Sequence, residues 1–213
     1  MNKVIALLFC VLFVILVLIH NKGDNMNNYN IKEGNNSIKI DYPSTRYREL
    51  SKEIDKFIKN SIDDFYRDIM EYNRYTSNYI IINYKEYRYR NIVSYIFFTE
   101  VYYGGAHPSH LIWTVNYNIR LNKIIDINDL VKTNQKILDI LSNYSYNVIS
   151  KDKSFNNNNI LDMLKTGTKP EAKNFKNILF TSRGLLIYFE RYQIAPYYFG
   201  DYHILVPYHI IYS

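Results

Sequence analysis

The sequence has one cysteine, Cys10, so the chain cannot form an internal disulfide. Glycine and proline are also scarce, with 7 and 5 residues among 213, so sharply bent backbone is confined to a few places. Gly104-Gly105 is not followed by Lys-Ser or Lys-Thr, and no Gly-x-Ser-x-Gly sequence occurs. These absences exclude disulfide cross-links within the chain and argue against a phosphate-binding loop or a serine hydrolase.

No long run of like charges occurs either. The 26 basic and 20 acidic residues give a net charge of +6 and are interspersed, which is typical of a solvated surface. Because no basic stripe coincides with a known nucleic-acid-binding module, we predict no nucleic-acid partner. A mild attraction to anionic wall polymers or membrane surfaces is compatible with this charge. Aromatic residues are abundant at 16%, which favours strands and large flat contacts.

The one long apolar run lies near the N terminus, at residues 4–19. At about 1.5 Å per residue, a helix of this length approaches the thickness of a membrane's hydrocarbon core. Residues 20–24 contain no small-x-small cleavage site. We therefore expect residues 1–20 to be an uncleaved signal anchor in the cytoplasmic membrane, with the domain outside the cell. The alternative is a cleaved signal peptide and a secreted protein. Residues 21–36 are polar, rich in asparagine and without periodicity, so they predict a flexible tether.

Residues 37–213 have the pattern of a single α+β domain. Ile54, Ile58, Ile62 and Phe65 recur at helical spacing within a long helix predicted over residues 45–71. Runs rich in Ile, Val, Tyr, Phe and Thr predict strands over residues 37–43, 78–85, 87–102 and 111–120. This order predicts an antiparallel sheet with one long helix and several short helices packed against it.

The most distinctive stretch is the segment from Tyr102 to His110, between two predicted strands. Gly104 and Gly105 permit backbone angles that other residues resist, and Pro108 fixes its own, so the connection has a defined shape. One interpretation is a hairpin turn whose histidines are hydrogen-bonded within it. The other is a ligand-binding loop carried by a rigid sheet.

We predict that this loop forms one exposed rim with a second shaped segment around Pro196 and Gly200. Tyrosine suits such a rim, because its ring gives a large contact area and its hydroxyl gives specificity. The candidate ligand-binding residues are Tyr102, Tyr103, Gly104, Gly105, His107, His110, Tyr197 and Tyr198. The alternative is a metal site based on His107 and His110, which would need at least one more converging ligand. Further ligands could come from Glu100, Asp201, His203 and His209.

Two sequence blocks resemble a recurrent extracytoplasmic bacterial domain. The first combines Tyr103-Gly104-Gly105-Ala106-His107-Pro108 with the stretch from Lys123 to Leu130, and the second extends from Phe189 to Tyr197. That domain forms the C-terminal part of RsiV-like, lysozyme-sensing anti-sigma factors. It also accompanies the catalytic domain of PdaC-like peptidoglycan deacetylases, and its family is otherwise of unknown function. The resemblance covers roughly Asn36 to the end of the chain.

The resemblance implies an envelope-facing binding domain rather than an enzyme. Deacetylation in that group needs a separate catalytic domain. The anti-sigma role needs a cytoplasmic segment, whereas only Met1-Asn2-Lys3 precede the apolar run. We therefore predict a non-enzymatic domain without a cofactor that binds an envelope protein such as lysozyme, or the glycan of peptidoglycan. Lysozyme is itself basic, so electrostatic steering would oppose its encounter with a basic chain. The alternatives are a metal-assisted hydrolase acting on cell-wall material and a purely structural envelope protein.

Overall fold

The computed structural model describes residues 26–72 and 77–212, which form a mixed α+β structure. The strands are β1 (Met26–Glu33), β2 (Asn36–Pro43), β3 (Asn78–Tyr89), β4 (Ile92–Tyr102), β5 (Ser109–Asn118), β6 (Lys123–Ile125), β7 (Ile178–Thr181), β8 (Gly184–Phe189) and β9 (Tyr202–Pro207). The α-helices are α1 (Arg48–Tyr72), α2 (Ile127–Thr133), α3 (Ile137–Ile149), α4 (Asn158–Gly167) and α5 (Tyr208–Ile211). The predicted α+β class is confirmed, and so is the long helix, which begins at Arg48 and ends at Tyr72.

The strands form two sheets, whereas the sequence predicts one. β1 to β6 lie side by side in chain order, and all neighbours are antiparallel except β2 and β3, which run parallel. α1 supplies the long crossover that a parallel pair requires. β7, β8 and β9 form a second, antiparallel sheet. The division depends on which distant strands pair, and local periodicity does not encode that choice.

α1 covers one face of the first sheet. Its buried side chains share a core with Val93, Tyr95 and Phe97 of β4. The buried residues that α1 contributes are Leu50, Ile54, Ile58, Ile62 and Phe65. The apolar stripe that predicts this helix is therefore the face that packs on the sheet.

The opposite face of the first sheet packs on the second sheet. Ile96 and Ile112 meet Leu179 and Tyr188 between the two sheets. The other face of β7 and β8 points into a core that α3 and α4 close, and it carries Ile178, Phe180, Leu185, Ile187 and Phe189. Because β7 and β8 are buried on both faces, their sequences are nearly continuous apolar runs.

Side-chain hydrogen bonds connect the first sheet to β7 and to the residues just before it. Asn116 Nδ2 donates to the carbonyl of Ile178 at 3.0 Å, and Thr114 Oγ1 donates to the carbonyl of Lys176 at 3.4 Å. Ser94 Oγ accepts a hydrogen bond from the amide of Phe180 at 3.1 Å. Asn116 and Ser94 are buried, so loss of either bond would leave an unsatisfied polar group. These bonds fix the position of β7 across β4 and β5.

The predicted tether over residues 21–36 is wrong from Met26 onward. β1 pairs antiparallel with β2 along its whole length, from Met26 opposite Pro43 to Glu33 opposite Asn36. Tyr29 is buried in the α1 core, and Ile31 packs against it. Backbone pairing satisfies the polar main chain here, and two alternating apolar side chains hold the strand to the sheet. Because asparagine is abundant here, the short alternation of Tyr29 and Ile31 with polar residues is not recognisable as a strand pattern in the sequence.

The predicted membrane segment at residues 4–19 lies outside the described residues. Among residues 26–72 and 77–212, no helix is long and apolar enough to cross a membrane.

Replacing Ile62 with alanine tests the packing of α1. Ile62→Ala is expected to lower the free energy of unfolding by roughly 2–4 kcal/mol, because it leaves a cavity beneath the helix. Met70→Ala on the same helix is the control, since Met70 is 55% exposed, and it should cost less than about 0.5 kcal/mol. Urea denaturation measures both changes. Two equally small losses would show that this face of α1 is not core.

Candidate functional site

The loop from Tyr103 to Pro108 connects β4 to β5 and has a fixed shape. Gly104 adopts a left-handed backbone angle (φ 76°), which glycine accepts without strain. The Tyr102 hydroxyl donates to the carbonyl of Gly105 at 3.0 Å. The strands on either side pair up to Val101 opposite Ser109, so a rigid hairpin carries the loop.

The segment from Glu190 to Asp201 connects β8 to β9, and hydrogen bonds of the Gln193 side chain anchor it. Its Oε1 atom accepts from the amide of Glu190 at 3.1 Å, and its Nε2 atom donates to the carbonyls of Gly167 at 3.1 Å and Asn174 at 2.9 Å. A β-carbon on Gly167 would lie 2.0 Å from the carbonyl oxygen of Gln193, so only glycine allows this approach. The segment therefore has one well-defined position on α4.

The two segments meet at Tyr197. Its hydroxyl donates to the carbonyl of Pro108 at 2.9 Å. The imidazole of His107 stacks on its ring, with centroids 4.1 Å apart and planes inclined by 24°. The guanidinium carbon of Arg191 lies 4.5 Å from the same ring centroid, within the range of cation–π attraction.

Two more rings complete this group. The ring centroids of Tyr192 and His110 lie 5.6 Å and 6.4 Å from that of Tyr197. Tyr192 is 62% exposed and has a left-handed backbone angle (φ 65°), an uncommon conformation for a bulky residue. We call His107, His110, Arg191, Tyr192 and Tyr197 the Tyr197 cluster.

Two carboxylates lie beside the Tyr197 cluster. Glu100 Oε2 is 3.8 Å from His110 Nδ1, and the hydroxyl of Tyr79 donates to Glu100 Oε1 at 2.7 Å. That hydrogen bond raises the pKa of the Tyr79 phenol to about 12, so the phenol stays a donor. Asp201 Oδ1 is 3.9 Å from Arg191 Nε, and both atoms are buried without a hydrogen-bond partner among the described residues.

Burial lowers the pKa of His110, and the positive charge of Arg191 lowers it further. Glu100 and Asp201 act in the opposite direction but do not outweigh these effects. His110 is therefore a neutral imidazole at pH 7, which can both donate and accept a hydrogen bond.

The structure brings together His107, His110 and Tyr197 among the predicted site residues. The expectation of a single rim is wrong for Tyr103, whose ring lies on the α1 side of the sheet and stacks on Phe65 with centroids 5.7 Å apart. Successive side chains of a strand point to opposite faces, and this alternation separates Tyr103 from Tyr102.

The other predicted site residues lie around the Tyr197 cluster. Tyr102 stacks on Tyr79 with centroids 5.5 Å apart, so it packs on the sheet face that also carries His110. Gly104 and Gly105 shape the loop. Tyr198 is 77% exposed, and its ring packs against Phe199 rather than Tyr197.

Three residues at the site are not among those predicted from the sequence, namely Arg191, Tyr192 and Tyr79. Arg191 and Tyr192 lie inside the block from Phe189 to Tyr197. A charged residue among aromatic residues is the sequence feature that could have marked them as part of a binding site. Tyr79 carried no signal, because its place beside Glu100 depends on the pairing of β3 with β4.

The metal alternative finds no donor set in the part of the chain that the structure describes. No group of three or more His, Cys, Asp or Glu side chains there is placed to hold an ion. His107 Nδ1 lies 3.1 Å from the carbonyl oxygen of Pro108, within hydrogen-bond distance. The cluster instead offers stacked rings, a guanidinium and a neutral imidazole, which suit recognition of a ligand with both apolar and polar faces.

Comparison with known proteins gives one family match and one curated relative. Residues 128–209 match the family described as "Protein of unknown function (DUF3298)", and this match includes Arg191 and Tyr197 but not His107. The peptidoglycan-N-acetylmuramic acid deacetylase PdaC of Bacillus subtilis (strain 168) is 26% identical over 171 residues, which are 78% of this chain and 36% of that protein. The chain thus spans about a third of the length of this relative.

Two crystal structures of DUF3298 proteins have a similar fold. The protein from Pseudomonas aeruginosa PAO1 aligns with a TM-score of 0.63 at 13% identity, over 90% of this chain and 94% of that one. The protein from Bacteroides fragilis NCTC 9343 aligns with a TM-score of 0.56 at 17% identity, over 88% of this chain and 92% of that one. Residues 128–209 therefore match the DUF3298 family model, and the chain shares its fold with two solved structures from that family.

Proposed function

We propose that this protein binds wall glycan at the cell envelope without transforming it, and that the Tyr197 cluster is the binding site. The observation that carries the proposal is the placement of His107 and Arg191 on the ring of Tyr197, at 4.1 Å and 4.5 Å. Sugar rings present apolar C–H faces and polar edges. Stacked rings with a guanidinium at their side complement both features.

Arg191 is the group of the cluster that can bind the carboxylate of an acidic sugar, and Asp201 beside it offsets part of its charge. A guanidinium binds a carboxylate through two parallel hydrogen bonds. Arg191 Nε is buried beside Asp201, so the two Nη atoms are the groups that would meet a ligand carboxylate. The neutral His110 adds a donor and an acceptor. N-acetylmuramic acid, the sugar named in the description of the Bacillus relative, has a free lactyl carboxylate wherever no peptide is attached to it. We therefore assign a muramic-acid-containing glycan as the ligand.

A glycan fits the observations better than a basic protein does. The chain carries a net charge of +6, so long-range electrostatics disfavour a strongly basic partner such as lysozyme. Peptidoglycan and its associated polymers are anionic, so the same charge favours encounter with the wall. The metal-assisted hydrolase receives no support from the described donor groups.

The proposal includes a location outside the cytoplasmic membrane. The apolar run at residues 4–19 would anchor the chain, and the cluster would then face the wall. Cleavage after this run would give the same domain in secreted form.

The location is tested by intact-mass measurement of the protein purified from cell membranes. We expect a chain that retains residues 1–20, because no small-x-small cleavage site follows the apolar run. A mature chain that begins after residue 20 would contradict the anchor but not the export.

The binding site is tested by titrating soluble muramic-acid oligosaccharides into the full chain and following the heat of binding. His107→Ala should weaken binding about tenfold, which corresponds to about 1.4 kcal/mol. Arg191→Lys should have a similar effect, because lysine keeps the charge but loses the planar fork. Tyr198→Ala is the control, since Tyr198 is adjacent in sequence but packs on Phe199, and its affinity should stay within about twofold.

Two readouts separate binding from its alternatives. The melting temperature of each variant shows whether lost binding merely follows lost stability. Mass spectrometry of the oligosaccharides after incubation should show them unchanged, whereas hydrolysis or deacetylation would make the protein an enzyme. If His107→Ala binds as tightly as the unmodified chain, the cluster is not the site.

A further inference from the structure

We infer a second binding site, independent of the proposed glycan site, in which the free edge of β5 accepts an extended polypeptide segment as an added strand. β5 pairs with β4 along its whole length, from Ser109 to Asn118. On its other side it pairs with β6 only at residues 116–118. Residues 109–115 therefore form a sheet edge that no described strand covers. Such an edge presents unpaired N–H and C=O groups, which an extended peptide can bind.

A groove runs between this edge and α1. Its volume is about 350 Å³, and it is lined by aromatic and apolar side chains of both elements. Phe57 of α1 stacks on Trp113 of β5 with centroids 4.3 Å apart. Leu111 also lines the groove and is 59% exposed. Alternate side chains of an added strand would point to the same side as Leu111 and Trp113, and so into this groove.

The negative charge of the groove indicates which kind of peptide segment would bind there. Asp64 and Asp68 line it together with Arg67, whose guanidinium lies 2.6 Å from Asp64 and 4.0 Å from Asp68. Two carboxylates and one guanidinium leave this groove negative on a chain whose net charge is positive. The fitting partner is an extended segment with an apolar side chain and, two residues along on the same face, a lysine or arginine.

The site is separate from the Tyr197 cluster. His110, Ile112 and Asn116 of β5 face the second sheet, whereas Leu111 and Trp113 face the α1 side. The same strand thus contributes to the glycan site through one face and to the groove through the other. A second copy of the chain is a poorer occupant, because pairing two β5 edges would place two negatively charged grooves beside each other.

The test uses synthetic peptides and the full chain, with binding followed by fluorescence polarisation. The probe is Thr-Leu-Thr-Lys-Thr-Val-Thr, which places leucine, lysine and valine on one face of a strand. Replacing its lysine by glutamate should weaken binding about tenfold through like-charge repulsion. N-methylation of alternate backbone amides should abolish binding for one of the two alternate sets and spare the other, because only one set faces β5.

Matched variants of the chain locate the site. Leu111→Lys should reduce probe affinity about tenfold, because it puts a cation beside the groove and blocks the edge. Leu121→Lys is the control, since Leu121 is 60% exposed and lies beyond the free edge, and it should bind the probe normally. Both positions are exposed, so both variants should keep the melting temperature of the unmodified chain.

Several outcomes would overturn the inference. Equal binding of the lysine and glutamate peptides, or of both N-methylated peptides, would exclude strand addition beside an acidic groove. Equal affinity of the two lysine variants would place the site elsewhere. If the free chain forms a dimer that Leu111→Lys dissociates, the edge pairs with a second copy and the assigned partner is wrong.

Discussion

The hydrogen bonds between the two sheets are the constraint on which the candidate site depends. Asn116 and Ser94 project from the buried face of the first sheet and bind the backbone of β7 at Ile178 and Phe180. A shifted β7 would leave both side chains buried and unsatisfied, at a cost of about 1–3 kcal/mol each. The position of β7 sets that of β8, and β8 leads directly into the segment that carries Tyr197. The buried contacts between the two sheets thereby determine where the Tyr197 cluster lies on the surface.

The elements with strong local periodicity were predictable from the sequence. α1 follows from apolar residues at helical spacing, and its observed bounds, Arg48–Tyr72, differ from the predicted ones by a few residues. β1 was not predictable, because Tyr29 and Ile31 alternate among asparagines, and pairing with β2 supplies the rest of its stability. The separation of β7 from the first sheet depends on long-range contacts, which no local pattern reports.

The candidate site was predictable only in part, for the same reason. Gly104 and Pro108 predict a loop of defined shape, and in the structure this loop contacts Tyr197. The alternation of a strand then assigns Tyr103 to the opposite face, in the groove beside α1. Arg191 joins the cluster through folding of the segment that Gln193 anchors, and this anchoring depends on contacts with α4 and Asn174. Such tertiary contacts produce no periodic pattern in the sequence.

The most direct test of the account is the NMR response of the histidine side chains during titration of the full chain with muramic-acid oligosaccharides. The chain has five histidines, and the signals of His107 and His110 should shift on binding. His209 is the internal reference, because it lies on α5, outside both shaped segments, and its signal should stay in place. Saturable binding that moves His209 but leaves His107 and His110 unchanged would contradict the assignment of the Tyr197 cluster as the glycan site.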